Sequence, residues 1–422
     1  MQVYLVTFGS RGDVHPLLGL GQALQARGHA ASVLTNPVFG AEVAAAGLGF
    51  VPVGTEQDYR DTLAHPKLWH PVDGLGVLWR YLLRPALQPT LVSLERLCRR
   101  GGDDAPLVLA SPLAMGARIA QESLGLRLVS LYTAPSLLRS VADPLTIGRW
   151  TVPKPVPSWA RHGLWHLLDR TRLDPLVRPA LTLLRAARSL PPLPRHGLFD
   201  RWLHAPRGGL ALFPSWFARH APDWPVPVQE GDFPLYDEPA ATLEHAPQAG
   251  SLQVFLDAGP APVVFMPGSA RQDAAGFFRA AIAACRRLGL RAVLLGPDAP
   301  AHGAAPSEAC WSAPYVPFAQ LLPRARALVH HGGIGSCAQA LRAGLPQLLW
   351  PQAYDQHDNA LRLEALGVAL RLPGPTPDAA SLARQLGRLL RSADVAIACR
   401  RHAAALQGPR LDAACAWLET MA

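Results

Sequence analysis

Twice along this chain a short apolar run leads into a glycine-bearing turn, then an amphipathic stretch, then another short apolar run, and this alternation restricts the fold more than any other feature. The first series places strands at Gln2–Phe8, Ala30–Leu34 and Leu48–Val53, with one helix from about Val14 to Arg27 stopped by Gly28 and another stopped by Gly47. Further strands are expected near Leu107–Ala110 and Arg127–Tyr132. The second series opens at Pro262 with a strand at Val263–Met266, a Pro267-Gly268-Ser269 turn, a helix reaching about Leu288 and a strand at Arg291–Leu295. It continues with a strand at Arg326–His330, a helix from near Gly335 and a strand at Gln347–Trp350. Strands this short and this continuously apolar are buried on both faces, as in a parallel sheet covered by its crossover helices. The fold class is therefore α/β, with two Rossmann-like domains.

The length of 422 residues and a hydrophobic content of 49% suffice for two cores. Between Pro135 and Pro239 the periodicity breaks into segments rich in proline and tryptophan, where proline ends helices and fixes extended connections. The expected organisation is a first domain over 1–215, a linker over 216–240, a second domain over 241–395, and C-terminal helices over 396–422 that pack back toward the first domain. The net charge of +9 comes from arginine, since Lys67 and Lys154 are the only lysines. No dense basic run accompanies it, so nucleic acid is not an expected partner; a solvated basic surface stands beside attraction for phosphorylated ligands or an anionic membrane surface as readings of this charge. The six cysteines form no C-x-x-C pair, which fits a reducing cytosol better than a disulfide framework or a zinc site. The N-terminus reads as no signal peptide and no apolar run is long enough to span a bilayer. The expected location is the cytoplasm, with any membrane contact peripheral at the inner face of the cytoplasmic membrane.

The stretch His330–Gln356, HHGGIGSCAQALRAGLPQLLWPQAYDQ, carries the most chemistry. A glycine turn opening a helix presents backbone N–H groups and the positive end of the helix dipole to an anion. Gly332, Gly333 and Gly335 let a large group such as a diphosphate approach the backbone. In an open α/β sheet, ligands bind beyond the carboxyl ends of the strands, where three turns would lie here: Gly9 to Asp13, Gly268-Ser269, and His330 to Gln356. A nicotinamide site fits poorly, because Gly9-Ser10-Arg11-Gly12 is not G-x-G-x-x-G and the second strand ends in Thr35-Asn36 without an acidic residue for ribose.

Four separated motifs, GSRGDVHP at the N-terminus, PGS at 267–269, Tyr315-Val316-Pro317, and HHGGIGS followed by P-x-x-x-DQ, span nearly the whole chain. In this order they resemble the family-one glycosyltransferases of GT-B fold, which use nucleotide diphosphate sugars. The connector sequences LFPSWF, PDWP and FPLYD resemble, within that family, the bacterial rhamnosyltransferases of rhamnolipid synthesis. The resemblance implies two Rossmann-like domains facing a cleft and an inverting sugar transfer to a hydroxyl. It implies a general base at Asp13, with His15 as the alternative; the competing structural role for Asp13 is the N-cap of the first helix. It places His331, Gly333, Gly335 and Ser336 on the diphosphate, Ser269 on a phosphate, Tyr315 and Val316 at the nucleobase with Trp311 as a competing stacker, and Asp355 and Gln356 on the sugar hydroxyls. His330 is expected to be a strand-end packing residue. Gln339 stands where users of uridine diphosphate usually carry a ribose-gripping glutamate, which favours dTDP-sugars over UDP-sugars.

L-Rhamnose, from dTDP-L-rhamnose, is the first expected sugar, and a hydrophobic hydroxyl acceptor such as a hydroxyacyl lipid the expected acceptor. The Leu-, Trp- and Arg-rich segments at about Trp69–Leu87 and Trp150–Leu198 are the acceptor-lid candidates, with plain amphipathic helix packing as the alternative. No cofactor and no metal are expected, since no D-x-D triplet occurs. A UDP-sugar-dependent glucosyltransferase acting on a lipid or small natural product is a second reading. A sugar-nucleotide epimerase and a non-catalytic nucleotide-sugar-binding protein are the readings from other classes.

Overall fold

The computed structural model describes the chain apart from residues 101–104, 144, 148–149, 153–154, 238–248, 269–273, 298, 300–308, 375 and 409–410. It contains two α/β units, Met1–Tyr236 with Pro409–Ala422, and Asp237–Gly408.

The strands of the first unit are β1 (Gln2–Val6), β2 (Ala30–Thr35), β3 (Gly49–Pro52), β4 (Leu107–Ala110), β5 (Arg127–Tyr132), β6 (Leu145–Ile147), β7 (Trp150–Val152), β8 (Gly209–Ala211) and β9 (Val228–Gln229). Seven of them form a sheet in the order β3-β2-β1-β4-β5-β8-β9, all pairs parallel, while β6 and β7 form a separate antiparallel hairpin. Alternate residues of a strand face opposite sides, and both sides are covered. Tyr4, Val6, Val108 and Leu128 enter one hydrophobic core, and Val3, Leu5, Leu107 and Val129 enter the other.

The second unit repeats the plan with β10 (Val263–Met266), β11 (Ala292–Leu295), β12 (Cys310–Ala313), β13 (Ala327–His330), β14 (Gln347–Leu349) and β15 (Ala369–Arg371). Their order is β12-β11-β10-β13-β14-β15, again wholly parallel. Val263, Phe265 and Leu294 pack on one face, Val264, Val293 and Leu328 on the other. The placement of β10 next to β13, with β13 next to β14, brings the loops that follow these three strands to one edge of the sheet.

Two boundaries differ from the sequence expectation. Residues 216–236, expected as part of a linker, belong to the first unit, where Phe217 packs edge-on against Phe233 with ring centroids 5.3 Å apart and Trp216 flanks both. Burial of these rings outweighs the proline content that suggested a connector. At the other end, the Ala393–Ala405 helix stays with the second unit through buried Cys399 and His402. Only the last helix, Asp412–Thr420, joins the first unit: Ala414, Cys415 and Leu418 enter its core, and Glu419 bonds Arg27 and His29, each at 2.8 Å. Among the described residues no helix is long and apolar enough to cross a membrane.

Candidate active site

In the first unit the site begins at the turn after central strand β1. The first helix starts at Arg11, three residues earlier than its apolar periodicity suggested, and Ser10 is its N-cap. The Ser10 hydroxyl accepts from Gly12 N–H at 3.2 Å, and Asp13 Oδ2 accepts from Ser10 N–H at 2.8 Å and from the Ser10 hydroxyl at 3.3 Å. Asp13 is therefore not the N-cap but the third helical residue, closing a capping box from inside the first turn. Its carboxylate folds over Gly9, whose φ of +147° and missing Cβ leave room that any side chain would fill: a Cβ there would lie 2.1 Å from Asp13 Oδ2. Part of the Asp13 surface stays open to solvent. Desolvation by the surrounding protein nevertheless pushes its carboxyl up to about 6, against the lowering effect of the two Ser10 bonds. A carboxylate with this value is ionised at neutral pH yet retains proton affinity, the condition for a general base.

His15 lies two residues further on in the same helix. Its Nε2 sits 2.8 Å from Glu42 Oε2, and Glu42 Oε1 accepts from Arg11 at 2.9 Å and 2.6 Å. Its ring meets Tyr236 edge-on at 5.1 Å. Burial acts to raise the Glu42 carboxyl, but the hydrogen bonds from His15 and Arg11 outweigh it and hold the group below its ordinary value. His15 is thus a buttressed imidazole whose Nε2 is committed to a carboxylate. Glu42 and Arg11 were not among the sequence candidates. A partner 27 residues away across β2 leaves no local signal.

In the second unit, three expected regions follow the adjacent strands β10, β13 and β14, and a fourth follows β12. After β13 comes the turn carrying His331 and Gly333, and then the Ile334–Arg342 helix. Gly333 is the N-cap and has no side chain to satisfy the first-turn N–H groups, so those of Ile334, Gly335 and Ser336 lack intrahelical partners. His331, Gly333, Gly335 and Ser336 are all half-buried, accessible from one side. The imidazole of His331 covers Gly333 so closely that a Cβ there would come 2.5 Å from Nε2, and it faces Gly268 from the turn after β10. Ser269, next in that turn, lies outside the described residues. His330 is a packing residue as expected: fully buried, it bonds Gln347 Oε1 at 3.0 Å and accepts from Gly332 N–H at 3.2 Å. Burial, with His331 beside it, drives its imidazole down to about 3, so it stays neutral.

After β14, Gln356 Oε1 accepts from the N–H groups of Gln352 at 2.8 Å and Ala353 at 3.3 Å, which shapes the polar tip and commits the amide oxygen. Only the amide nitrogen of Gln356 remains for a ligand. Asp355 makes no capping bond to its own helix, Gln356–Ala365; its Oδ2 instead accepts from Asn359 at 2.7 Å. Asn359 was missed, although its i+4 offset from Asp355 on a helix was a usable signal. After β12, Tyr315 is half-buried and its hydroxyl donates to Asp237 Oδ1 at 3.3 Å, while Asp237 also accepts from Ala319 N–H. Burial raises the Asp237 carboxyl despite these bonds. Val316 is buried. Trp311, the competing stacker, is 1% exposed in β12 with its indole N–H on Ser251, so it is a core residue and cannot stack on a ligand. Gln339 lies in the second turn of the Ile334–Arg342 helix and is buried.

Residues 3–142 match the glycosyltransferase family 28 N-terminal domain, and residues 300–410 match the erythromycin biosynthesis protein CIII-like C-terminal domain. Glycosyltransferase GtfE of Amycolatopsis orientalis is 30% identical over 92% of this chain and 89% of its own length. The chain belongs to the family-one glycosyltransferases, of the antibiotic glycosyltransferase type. O-mycaminosyltylonolide 6-deoxyallosyltransferase of Streptomyces fradiae is 29% identical over 100% of the chain and 98% of its own length. The solved structure of the glycotransferase of kitacinnamycin superposes with a TM-score of 0.69 at 22% identity, over 100% of this chain and 98% of that one, and shows the same GT-B fold. The enzyme is a glycosyltransferase.

Proposed function

We propose that this glycosyltransferase performs an inverting, metal-independent transfer of a sugar from a nucleoside diphosphate to a hydroxyl of a hydrophobic acceptor. The acceptor O–H gives its proton to Asp13 as the oxygen attacks the anomeric carbon; the bond from that carbon to the diphosphate oxygen breaks, and nucleoside diphosphate leaves from the opposite face. His331 and the first-turn N–H groups of the Ile334–Arg342 helix take up the charge growing on the leaving diphosphate. Tyr315, oriented by Asp237, stacks on the base; Val316 contributes backbone; Asp355 and the Gln356 amide nitrogen hold the sugar. The observation that carries the reading is the uncapped helix behind a half-buried histidine, at the same sheet edge as the Asp355-Gln356 tip.

Thymidine diphosphate is the favoured carrier. Gln339 in place of a glutamate removes the demand for both ribose hydroxyls, and one relative, 28% identical, is a dTDP-epi-vancosaminyltransferase. A deoxysugar follows, with L-rhamnose the first to test and a UDP-glucose donor the alternative. A relative named for sterol supports an apolar acceptor, with a hydroxyacyl lipid one member of that class. A thermal-shift panel of dTDP, UDP and their sugars on the wild type and on His331→Ala tests the donor. Native-state ligands raise stability by mass action, so dTDP should stabilise the wild type and not the variant. Stronger stabilisation by UDP overturns the Gln339 argument.

A further inference from the structure

Asn359 is fully buried near the start of the Gln356–Ala365 helix, and its side chain does two things at once. Its Nδ2 donates to Asp355 Oδ2 at 2.7 Å and to the carbonyl of Gly332 at 3.0 Å. Its Oδ1 is buried with no hydrogen-bond partner among the described residues. An orphaned buried amide oxygen is unfavourable for stability, so the two N–H donors are the reason this side chain suits the position. The first donor holds the carboxylate of Asp355, which makes no capping bond to its own helix. The second ties that carboxylate to the glycine turn. Gly332 has φ +90°, and a Cβ there would lie 3.1 Å from Gln356 O, so turn and helix start are in direct contact. Just before, Tyr354 holds φ +57°, a conformation costly for a non-glycine residue that the surrounding bonds must maintain.

We infer that Asn359 is a positioning residue that sets the distance between the sugar-reading carboxylate of Asp355 and the diphosphate turn at Gly332, and so governs recognition of the sugar rather than of the nucleotide. The inference rests on the donor-site reading above and adds to it a residue that touches no ligand. It makes Asn359 the reason a nucleotide sugar is distinguished from the nucleoside diphosphate it releases.

The test is isothermal titration of the full chain with dTDP, UDP and their glucose and rhamnose conjugates, for wild type, Asn359→Ala, Asp355→Ala, the double variant and His331→Ala. Asn359→Ala should leave nucleoside diphosphate affinity within about 3-fold and weaken the nucleotide sugar about 10- to 100-fold, the scale of hydrogen bonds to a charged group. Added to Asp355→Ala, it should cost no further nucleotide-sugar affinity, since neighbours acting through one another are not additive. The nearly isosteric Asn359→Asp, which sets a second carboxylate against the first, should show the same split if Asn359→Ala does not fold. Equal weakening of both ligands, or full additivity with Asp355→Ala, overturns the inference and leaves the donor site standing. Unchanged nucleoside diphosphate binding by His331→Ala removes the donor site itself, and the inference with it.

Discussion

Replacing Asp13 with asparagine should abolish most turnover and, at neutral pH, stabilise the protein. The carboxyl is raised from 3.8 to about 6 by desolvation. A rise of this size corresponds to ~3 kcal/mol of disfavoured ionisation when the group is charged in both folded and unfolded chains. The folded value lies above the unfolded one, so the native state holds the proton longer. The favourable contribution is therefore complete below the unfolded value and is lost as pH rises through about 6. Asparagine does not ionise and escapes this loss, while its amide oxygen can still accept from Ser10 N–H. What it gives up is the charge at the first helical turn, worth ~0.3–1 kcal/mol. The net expectation is a variant more stable by ~2 kcal/mol at about pH 8, with roughly half of that gain present at about pH 5. Urea unfolding followed by tryptophan fluorescence at both pH values, reading the transition of the unit that holds Asp13, measures it. In parallel, turnover should fall by roughly 10²- to 10⁴-fold, the usual contribution of a general base. The acid limb of the wild-type kcat/KM profile should lie near 6 and be absent in the variant. A stability difference that does not grow with pH, or a variant less stable at about pH 8, refutes the desolvated-carboxylate argument.

Four further outcomes follow from the geometry. Tyr315→Phe, which loses the hydroxyl bond to Asp237, should keep nucleotide affinity within about 3-fold, whereas Tyr315→Ala should lose about 10-fold or more in titration calorimetry, the scale of base stacking. Gly333→Ala puts a Cβ 2.5 Å from His331 Nε2 and must displace the imidazole; donor KM should rise with the melting temperature nearly unchanged, reproducing His331→Ala. Glu42→Gln removes a carboxylate held below its ordinary value; because such a group stabilises above its unfolded value and loses that effect as pH falls through the folded one, the variant's deficit, ~1–3 kcal/mol at neutral pH, should vanish in acid unfolding curves. Leu418→Ala should cost ~2–5 kcal/mol in denaturant unfolding, since the last helix completes the first unit's core.

The parallel sheets and the glycine turn after β13 were legible because their signals are local. Continuous apolar runs give strands buried on both faces, and glycines mark where backbone must approach a ligand. The start of the first helix was misplaced because apolar periodicity begins at Val14, while the deciding signal was the Ser10-x-x-Asp13 spacing of a capping box. Trp311 looked like a stacker until its strand set its direction: one face of β12 points into the core. Glu42 and Asp237 were invisible for a different reason. Their partners lie 27 and 78 residues away, and only the folded sheets bring them together.

Several departures from ordinary folding rules lie where the chemistry is assigned, though others, such as Ser189 at φ +55°, lie elsewhere. The central strands β1, β4, β10 and β13 pair in register and bury alternate residues on two faces. Against that background stand a half-buried carboxylate raised to about 6, a helix whose glycine N-cap has no side chain to cap its first donors, a non-glycine residue at φ +57°, and a buried amide oxygen without a donor among the described residues. Each is locally unfavourable. The first lies in the first helical turn after β1 and the other three in the loops and helix starts after β13 and β14, at the carboxyl ends of parallel strands, where open α/β sheets bind ligands. Local misfit of this kind persists when the same groups are needed for a ligand. That coincidence supports the roles proposed for Asp13, for the His331 turn and for the Asp355–Asn359 pair.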